Sequence, residues 1–507
     1  MKITHPGYRR LYRQEIIIIL VAFLLSRVLS ALFGIHLEYD ALYKYWQYLD
    51  ITTLRHDLLR GLWYDHAQPP FFNLVLGLVL QTSGNFAPVV FALLLKCISL
   101  INCFLLLTIL RRLIPHSRIP LLITLIYLLS PGLIIFESEL FYTTLISMLL
   151  LISGLFILRL QAPVQGLPGV PEGSRAPGHA GASVRAGRAW IYAAGIFLPL
   201  TILCLTRSMY HIFWLAAVSI CMLFVFKKRP AFKPLLAGSI ISLLLVGGWY
   251  LKNYMIFGQF STSSWLGMNL ARTVFHDHPT TDSSDIATIE PFSDLRYYHR
   301  FIDTARRAAF AGLDDRDLLW EHKNGVDTLM NLNHVDYLGI SKQYMTASKA
   351  YMKEHPGNYL KNALQSSIIF FAPATRYPYA EQAAKKIKYY DIVYSFNLSH
   401  FTHSKGPRRV ALTLSALPKI FIYLCVFYLL GRDILRQKRI SPLNLFIICT
   451  IGYVFLTSSL VEHYENMRFR YEIEPLFLVL LGQALLLVKP FKTIFNTSSA
   501  LNQVLKS

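Results

Sequence analysis

The chain has 507 residues, of which 54% are hydrophobic and only 16% are charged, and its mean hydropathy is +0.41. Because about a quarter of the residues of a soluble domain are charged, this composition excludes an ordinary soluble protein. The formal net charge is +21, but much of the Lys and Arg lies in short segments between apolar runs, without a motif that reads bases. The charge therefore predicts cytoplasmic loops and contact with anionic membrane lipid, and no nucleic-acid partner.

Long apolar runs such as IIIILVAFLLS and LPLTILCL indicate transmembrane helices of about 20 residues. These runs lack the alternation of apolar and polar residues that the strands of a membrane barrel would show. We therefore predict an all-α polytopic membrane protein with about ten spans, in a range of about 10–13. The predicted spans are about 15–37, 86–110, 119–136, 140–160, 190–206, 210–226, 235–251, 410–431, 443–460 and 473–489.

Two further apolar runs, 69–83 and 360–373, are short for a full crossing and are predicted to be juxtamembrane or re-entrant helices. With the N-terminus inside and ten spans, the basic short loops all fall on the cytoplasmic side, as the positive-inside rule requires. A full crossing by 69–83 would move the loop with Arg111, Arg112 and Arg118 outside, which is why this run is not counted as a span.

Three regions follow from this topology. Residues 1–251 form an N-terminal transmembrane module, with a first outer loop at 38–68 and a cytoplasmic linker at 161–189 whose Gly, Pro and Ala content predicts disorder. Residues 252–409 form an outer-face helical region, with helices interrupted near Pro356 and a juxtamembrane helix. Residues 410–507 contain the C-terminal transmembrane helices and a cytoplasmic tail.

Cysteines and histidines give weak signals. The six cysteines lie in apolar runs without CxxC spacing, so they are expected to be small packed residues rather than a disulfide framework or a metal site. The FHDHP segment at 275–279 contains two histidines and an aspartate but no further ligand at metal-site spacing. The Asn397 sequon is placed on the outer side, where it matters in a glycosylating compartment.

Many unusual polar residues fall at the outer ends of the predicted helices or in outer loops, although they come from opposite ends of the chain. Polar groups that converge at one membrane face define a site hypothesis. These residues are Glu38, Asp40, Asp57, Asp65, His66, Gln68, Glu137, Glu139, Arg207, Lys252, Asn253, Glu462, His463, Glu465, Arg468 and Arg470.

Each candidate has a structural alternative that the sequence leaves open. A carboxylate at a helix exit, such as Asp40, can be a general base or a solvated end. Arg468 and Arg470 can hold a phosphate or extend from the interface into solvent. His66, in the rigid stretch YDHAQPPFFN (64–73), can contact substrate or only pack. Arg27 and Lys96 lie within spans, where pairing and function are equally compatible with a buried charge.

Four segments, in order along nearly the whole chain, are similar to motifs of the GT-C glycosyltransferases. The resemblance is to the protein O-mannosyltransferase-like superfamily (family 39-like), which includes lipid A aminoarabinose transferases. The segments are SRVLSALFGIHLEYDALYKYW (26–46), HAQPPFFNLVLG (66–77), LTRSMY (205–210) with WYLKNYMIFGQFSTSSWLGMNL (249–270), and ENMRFRYEIEPLFLVLLGQAL (465–485).

The resemblance implies an inverting transferase on the outer face of the membrane. Asp40 would deprotonate the hydroxyl of a lipid, glycan or protein acceptor, which attacks the anomeric carbon of a polyprenyl-phosphate-linked sugar. The implied roles of the other residues are donor-phosphate binding by Lys252, Arg468, Arg470 and Arg207, and substrate positioning by His66, Gln68, Glu139, Asn253 and Tyr43. No metal ligand is assigned, although a supporting divalent metal is compatible with the family.

This sequence departs from the family pattern at three places. Ala41 follows Asp40 where the family often has a second acidic residue, Lys252 stands where Arg is common, and one extra residue separates His66 from Pro69. Two other classes of protein therefore stay open: a transporter or lipid flippase, and a catalytically inactive accessory subunit with the same fold. The absence of an internal repeat disfavours the transporter. The expected location is the inner membrane of a bacterium, with the site facing the periplasm.

Overall fold

The computed structural model describes residues 6–44, 48–115, 117–161, 179–275, 316–319, 323, 331–402 and 405–488. The regular elements in these ranges are helices, and Glu38 and Glu139 form an isolated parallel bridge. The N-terminal helices are α1 (Pro6–Leu32), α2 (Ala41–Lys44), α3 (Ile51–His56), α4 (Leu58–Tyr64), α5 (Pro70–Ser83), α6 (Ala87–Leu113), α7 (Ile119–Leu129), α8 (Pro131–Phe136) and α9 (Thr143–Gln161).

The second half of the chain continues the bundle. Its α-helices are α10 (His179–Thr206), α11 (Ile212–Phe226), α12 (Phe232–Phe257), α13 (Leu266–Val274), α14 (Arg316–Leu319), α15 (Asp336–Glu354), α16 (Pro356–Phe371), α17 (Glu381–Lys386), α18 (Lys388–Ser395), α19 (Lys405–Gln437), α20 (Pro442–Val461), α21 (Asn466–Glu472) and α22 (Glu474–Leu487). The expected interruption near Pro356 is the boundary between α15 and α16.

Seven helical segments in the described part of the chain are long and apolar enough to cross a membrane. This finding agrees with the predicted polytopic membrane class, and the segments coincide with seven of the predicted spans. They are Tyr12–Leu32, Pro70–Leu113, Thr143–Gln161, Gly187–Thr206, Phe232–Phe257, Arg409–Gln437 and Pro442–Val461. Large apolar side chains on their outer surfaces are exposed, among them Leu24, Leu244 and Leu424, as is expected where a helix faces lipid.

The other three predicted spans coincide with shorter apolar helices. The 119–136 span is divided, because Pro131 holds the preceding Ser130 in an extended conformation (φ −60°, ψ 133°) and so ends α7. The Ser130 hydroxyl then accepts a hydrogen bond from Leu133 N at 3.1 Å and caps α8. The 473–489 span corresponds to α22, which has 14 residues. The crossing of a membrane by these three helices stays a prediction.

Two boundaries differ from the sequence prediction. The 69–83 run does form a separate helix, α5, but only a 3-10 turn that begins at Gly84 separates it from α6, and the two form one apolar stretch of 44 residues. The predicted 161–189 linker is shorter, because α10 already begins at His179. The alanines of HAGASVRAGRA favour a helix there. Residues 162–178, on which the prediction of disorder also rests, lie outside the described residues.

Buried ion pairs fix the position of α1 in the bundle. Near one end, Arg27 Nε and Nη2 donate to the two carboxylate oxygens of Glu137, each at 2.8 Å. Near the other end, Arg111 on α6 pairs with Glu15, and its Nη1 donates to Ser117 O at 2.6 Å. Arg111 is therefore a buried structural residue, although the sequence placed it in a cytoplasmic loop. For Arg27, the structure resolves the open alternative in favour of pairing.

Candidate functional site

A cluster of buried arginines lies at the end of the bundle that carries Glu137. Arg207 follows the last residue of α10, and Arg468 lies on the short helix α21. The two side chains are 4% exposed each. Their guanidinium groups share two aromatic neighbours, Tyr142 and Phe469. The structure therefore brings together two of the four cations that the sequence assigned to phosphate binding.

Arg468 is surrounded by aromatic rings. Its guanidinium carbon lies 4.4 Å from the ring centre of Phe141, 5.2 Å from that of Phe469 and 5.4 Å from that of Tyr377. One nitrogen, Nη2, donates to Glu465 Oε2 at 2.6 Å. Nε and Nη1 have no hydrogen-bond partner among the described residues. A buried guanidinium with two unused donors is equipped to bind an oxyanion.

Arg207 has a carboxylate partner of its own. It forms an ion pair with the fully buried Glu472, and its guanidinium carbon lies 3.9 Å from the ring centre of Phe469. Burial, and then repulsion by Arg468, lowers the pKa of Arg207 to about 10. The guanidinium therefore stays charged at neutral pH, and two like charges remain close together. An anion that lies between Arg207 and Arg468 would relieve this repulsion.

Residues of the stretch 64–73 line a small pocket next to this region. The pocket is lined by Tyr48, Gln68, Pro69, Phe72, Asn73, Tyr142 and Thr206. Tyr142 thus lines the pocket and also lies next to the two arginines, whose guanidinium carbons are 5.7 Å and 5.8 Å from the centre of its ring. Gln68 and Thr206, which precedes Arg207 directly, are polar residues at this wall. Gln68 therefore lines the same small pocket as Tyr142, and its role in positioning a substrate stays a prediction.

Asp40 lies at the same end of the bundle, in the turn between α1 and α2. Glu38, two residues earlier, forms the parallel bridge with Glu139, and its N–H donates to Ser138 O at 2.7 Å. Phe141 N donates in turn to Glu139 O at 2.7 Å, and the Phe141 ring packs against Arg468. A short continuous path of contacts therefore connects the Asp40 turn to the arginine cluster.

The two ends of this path differ in solvent access. Asp40 is exposed, and Tyr43 N donates to Asp40 O at 3.0 Å, which closes the turn. Tyr43 is 37% exposed and packs edge-on against Tyr39 at 5.8 Å. Glu139 is only 3% exposed. Burial, followed by repulsion from Glu38, raises the pKa of Glu139 to about 8, so this carboxyl group holds a proton at neutral pH.

Lys252 does not lie with the two arginines. It lies on α12, where its ammonium donates to Trp63 O at 2.9 Å and to Asp65 O at 3.1 Å. These carbonyls belong to the end of α4 and to the first part of the 64–73 stretch. Lys252 therefore holds the main chain of the stretch, on the side of Asp65. A role in binding donor phosphate stays a prediction that these contacts do not favour.

His66 and Asn253 are also occupied by packing contacts. His66 Nδ1 lies 2.9 Å from Ser264 Oγ, its N–H donates to Asn333 Oδ1 at 2.9 Å, and its ring lies edge-on to Phe257 at 4.9 Å. Burial, and then the charge of Lys252, lowers the pKa of His66 to about 3. The imidazole is therefore neutral. Asn253 Nδ2 donates to Ser261 O at 2.7 Å.

Arg470 points in a different direction from Arg468. It is fully buried and pairs with Glu474, one turn further along the chain. Lys419 of α19 is a charged residue on another helix that interacts electrostatically with Arg470. Two residues apart on one helix lie on roughly opposite faces. The structure therefore separates the two arginines of the RFR motif, which the sequence assigned to one phosphate.

Sequence reasoning missed the aromatic residues of the site and one of its carboxylates. Phe141 and Tyr142 directly follow FESEL, and Tyr377 lies in the 3-10 turns after α16. Glu472, the partner of Arg207, lies in the same RFRYEIEP segment as Arg468. The signal that was present is the pair of adjacent aromatics directly before α9, but the apolar run that follows gives no reason to distinguish them from lipid-facing residues.

The structure gives little support for a metal site or for glycosylation of Asn397. Within the ranges that the structure describes, no group of three or more His, Cys, Asp or Glu residues could hold a metal ion. Most of the FHDHP segment, 276–279, lies outside those ranges. Asn397 is 1% exposed, and its Nδ2 donates to Asp391 Oδ2 at 2.7 Å. The sequon nitrogen is therefore engaged in a buried hydrogen bond rather than presented for glycosylation.

Comparison of the chain with protein families, with curated proteins and with solved structures found no match. The class that the structure defines is thus a helical membrane protein with a buried arginine cluster at one end of its bundle.

Proposed function

We propose that this protein is a membrane glycosyltransferase with a GT-C-like architecture of about ten spans. It would transfer a sugar from a polyprenyl-phosphate-linked donor to a hydroxyl group of a lipid, glycan or protein. The observation that carries the proposal is the arginine cluster. Arg468 has two unused buried donors beside a second charged guanidinium, at the bundle end that also carries an exposed aspartate.

The chemistry assigns one role to each group. The carboxylate of Asp40 accepts the proton of the acceptor hydroxyl, and the hydroxyl oxygen attacks the anomeric carbon from the face opposite the phosphate. The bond between the anomeric carbon and the phosphate oxygen breaks, and polyprenyl phosphate leaves with its electron pair. Arg468 and Arg207 stabilise the negative charge that develops on that phosphate. The anomeric configuration is inverted because there is one displacement.

The surrounding aromatic residues support this assignment physically. Phe141, Tyr142 and Phe469 exclude water from the guanidinium groups, and a charge interaction is stronger in such a low-dielectric environment. Their rings also hold the arginines in place by cation–π contact. A phosphate bound there loses less to reorganisation of the site than it would on flexible surface lysines.

The location follows from the same proposal. The lipid tail of the donor would remain among the exposed apolar side chains of the spans, while its phosphate reaches the arginine cluster at the bundle end. With the positive-inside orientation, that end faces outward. We propose the bacterial inner membrane, with the site on the periplasmic side.

Reconstituted protein provides the test. Purified wild-type protein in liposomes should consume polyprenyl-phosphate sugar when a hydroxyl acceptor is present, and Arg468→Gln should lower the rate by about 100-fold. Arg432→Gln, at an exposed arginine near the other end of α19, is the matched control and should act as wild type. Counterflow of an unmodified solute, without consumption of the donor, would instead show a transporter.

A further inference from the structure

The short helix α18 (Lys388–Ser395) reverses the usual pattern, because its buried side is polar and its exposed side is apolar. Asp391 is fully buried, whereas Tyr389 and Val393 are 79% and 85% exposed. Residues two positions apart on a helix point in roughly opposite directions, so the exposed pair shares the face opposite Asp391. An exposed apolar face of this kind marks a contact with lipid or with protein.

Hydrogen bonds hold the buried side of α18 in place. Asp391 Oδ2 accepts from Thr375 Oγ1 and from Asn397 Nδ2, each at 2.7 Å, and it lies 2.8 Å from His400 Nε2. These contacts fix the rotation of the helix about its axis. The apolar face is therefore turned outward by the packing of the opposite face.

Two tyrosines attach α18 to the end of α7. The Tyr390 hydroxyl donates to the carbonyl of Leu129, the last residue of α7, and the Tyr394 hydroxyl donates to that of Ile126. The last carbonyls of a helix have no partner within it, so these bonds satisfy them. The side chains of Ile126 and Leu129 are themselves 43% and 36% exposed. The apolar surface of α7 therefore ends beside α18.

A lysine attaches the same segment to the end of α1. Lys386, the last residue of α17, donates from Nζ to Gly34 O at 2.6 Å. Gly34 follows Leu32 and Phe33, which are 78% and 62% exposed. Leu32 ends a helical segment that is long and apolar enough to cross a membrane. The α17–α18 segment therefore lies where α1 leaves the bilayer, at the level of the lipid headgroups.

The segment 381–401 carries more positive than negative charge. Its acidic residues are Glu381, which pairs with Lys385 at 3.2 Å, and the buried Asp391. Lys386 and Lys388 therefore have no matching carboxylate within this segment. An anionic surface would complement these two charges.

Lys388 lies among aromatic rings. Its ammonium is 5.7 Å from the ring centre of Tyr389 and 5.7 Å from that of Phe401, which is 63% exposed. Aromatic rings beside a lysine are typical of the membrane–water interface. There the rings lie at the headgroup level, while the ammonium attracts the phosphates of anionic lipids.

We propose that Tyr389, Val393, Phe401 and Lys388 form a lipid-binding surface, which takes anionic phospholipid from the leaflet at this end of the bundle. The three apolar side chains enter the boundary between headgroups and acyl chains, and the Lys388 ammonium pairs with the lipid phosphate. The surface shares no residue with the arginine cluster, so the proposal does not depend on sugar transfer.

Fluorescence quenching in the full-length protein tests the contact with lipid. Val393→Trp and its matched control Thr346→Trp, at an exposed position of α15, are reconstituted in liposomes of phosphatidylcholine and phosphatidylglycerol. The measured signal is the emission that each variant adds to that of the seven native tryptophans. We expect brominated phospholipid to quench the added emission of Val393→Trp and aqueous acrylamide to spare it. The reverse is expected for Thr346→Trp.

Two results would overturn the proposal. Quenching of the added emission of Val393→Trp by acrylamide alone would show that this face of α18 is in water. Added emission that neither quencher reaches would show that a second copy of the chain covers the face.

A further comparison tests the role of Lys388. In the Val393→Trp chain, brominated phosphatidylglycerol should quench more effectively than brominated phosphatidylcholine at the same mole fraction. Lys388→Gln, added to that chain, should reduce this preference about fivefold. Lys353→Gln, at an exposed lysine of α15, is the matched control and should keep the preference. An unchanged preference in Lys388→Gln would also overturn the proposal.

Discussion

Arg27 and Glu137 form a bidentate ion pair, with both nitrogen–oxygen distances at 2.8 Å, between α1 and the end of α8. The side chains are 6% and 2% exposed, and Arg27 Nη1 also donates to Leu128 O at 2.9 Å. The pair ties α1 to the α8–α9 turn that carries Glu139 and Phe141. It therefore supports the candidate site without touching it.

Removal of one partner of this pair should destabilise the protein strongly. Glu137→Gln leaves the Arg27 charge buried and unpaired, which costs about 3–5 kcal/mol. The double variant Arg27→Met with Glu137→Leu should lose less stability than Glu137→Gln does, because it leaves no unpaired charge in the protein interior. Thermal unfolding in detergent measures both effects. The exposed pair Lys385–Glu381, at 3.2 Å, is the control. Glu381→Gln should change the melting temperature little. Equal stability of Glu137→Gln and wild type would show that the pair does not secure α1.

Lys252 provides a test of structural against substrate-binding roles. Because its ammonium holds the carbonyls of Trp63 and Asp65, Lys252→Met should reduce the free energy of unfolding by about 2 kcal/mol. The KM for the donor should stay unchanged. Lys353→Met, at an exposed lysine of α15, is the matched control. A large rise in the KM for the donor, without a loss of thermal stability, would show instead that Lys252 binds the donor phosphate.

Glu139 should make stability depend on pH. The pKa of its carboxyl group is raised from the ordinary value of 4.5 to about 8, by burial and then by Glu38. Between these two values the folded state keeps a proton that the unfolded chain has released. The contribution of this group is therefore complete below pH 4.5 and is lost as the pH rises through about 8.

The variant Glu139→Gln removes this titration. The difference in melting temperature between Glu139→Gln and wild type, measured in the same detergent, should be more positive by several degrees at about pH 8.5 than at about pH 5.5. The first pH lies just above the raised pKa of about 8 and the second just above the ordinary value of 4.5. Glu381→Gln, at an exposed carboxylate, should show no such difference between the two pH values. An identical offset for Glu139→Gln at both pH values would contradict the protonated state of Glu139.

The separate contributions of Arg468 and Arg207 to transfer and to stability can also be tested. Arg468→Lys keeps the charge but loses the planar arrangement of donors, so the transfer rate should fall by more than tenfold at saturating donor. Arg207→Lys should destabilise the fold as well, since Arg207 pairs with the buried Glu472. Rate and melting temperature, measured on the same preparations, separate the two effects. A normal rate in Arg468→Lys would mean that charge alone is sufficient.

Hydropathy predicts the membrane-spanning helices because the bilayer imposes the same requirement on every span. The sequence also predicts the interruption at Pro356, because proline cannot continue the hydrogen-bond ladder of a helix. Local pattern does not indicate which polar residues pair. Arg27 and Glu137 are 110 positions apart, and Lys252 is 187 positions from Asp65. These contacts depend on packing of the whole bundle, as does the separation of Arg468 from Arg470.

Asp40→Asn tests the central claim most directly. Asp40 is exposed in the turn after α1, so the substitution should leave expression, membrane insertion and melting temperature intact. In a reconstituted assay with polyprenyl-phosphate sugar and a hydroxyl acceptor, we expect transfer to be abolished, since the amide cannot accept the hydroxyl proton. Near-normal transfer by Asp40→Asn would contradict the account.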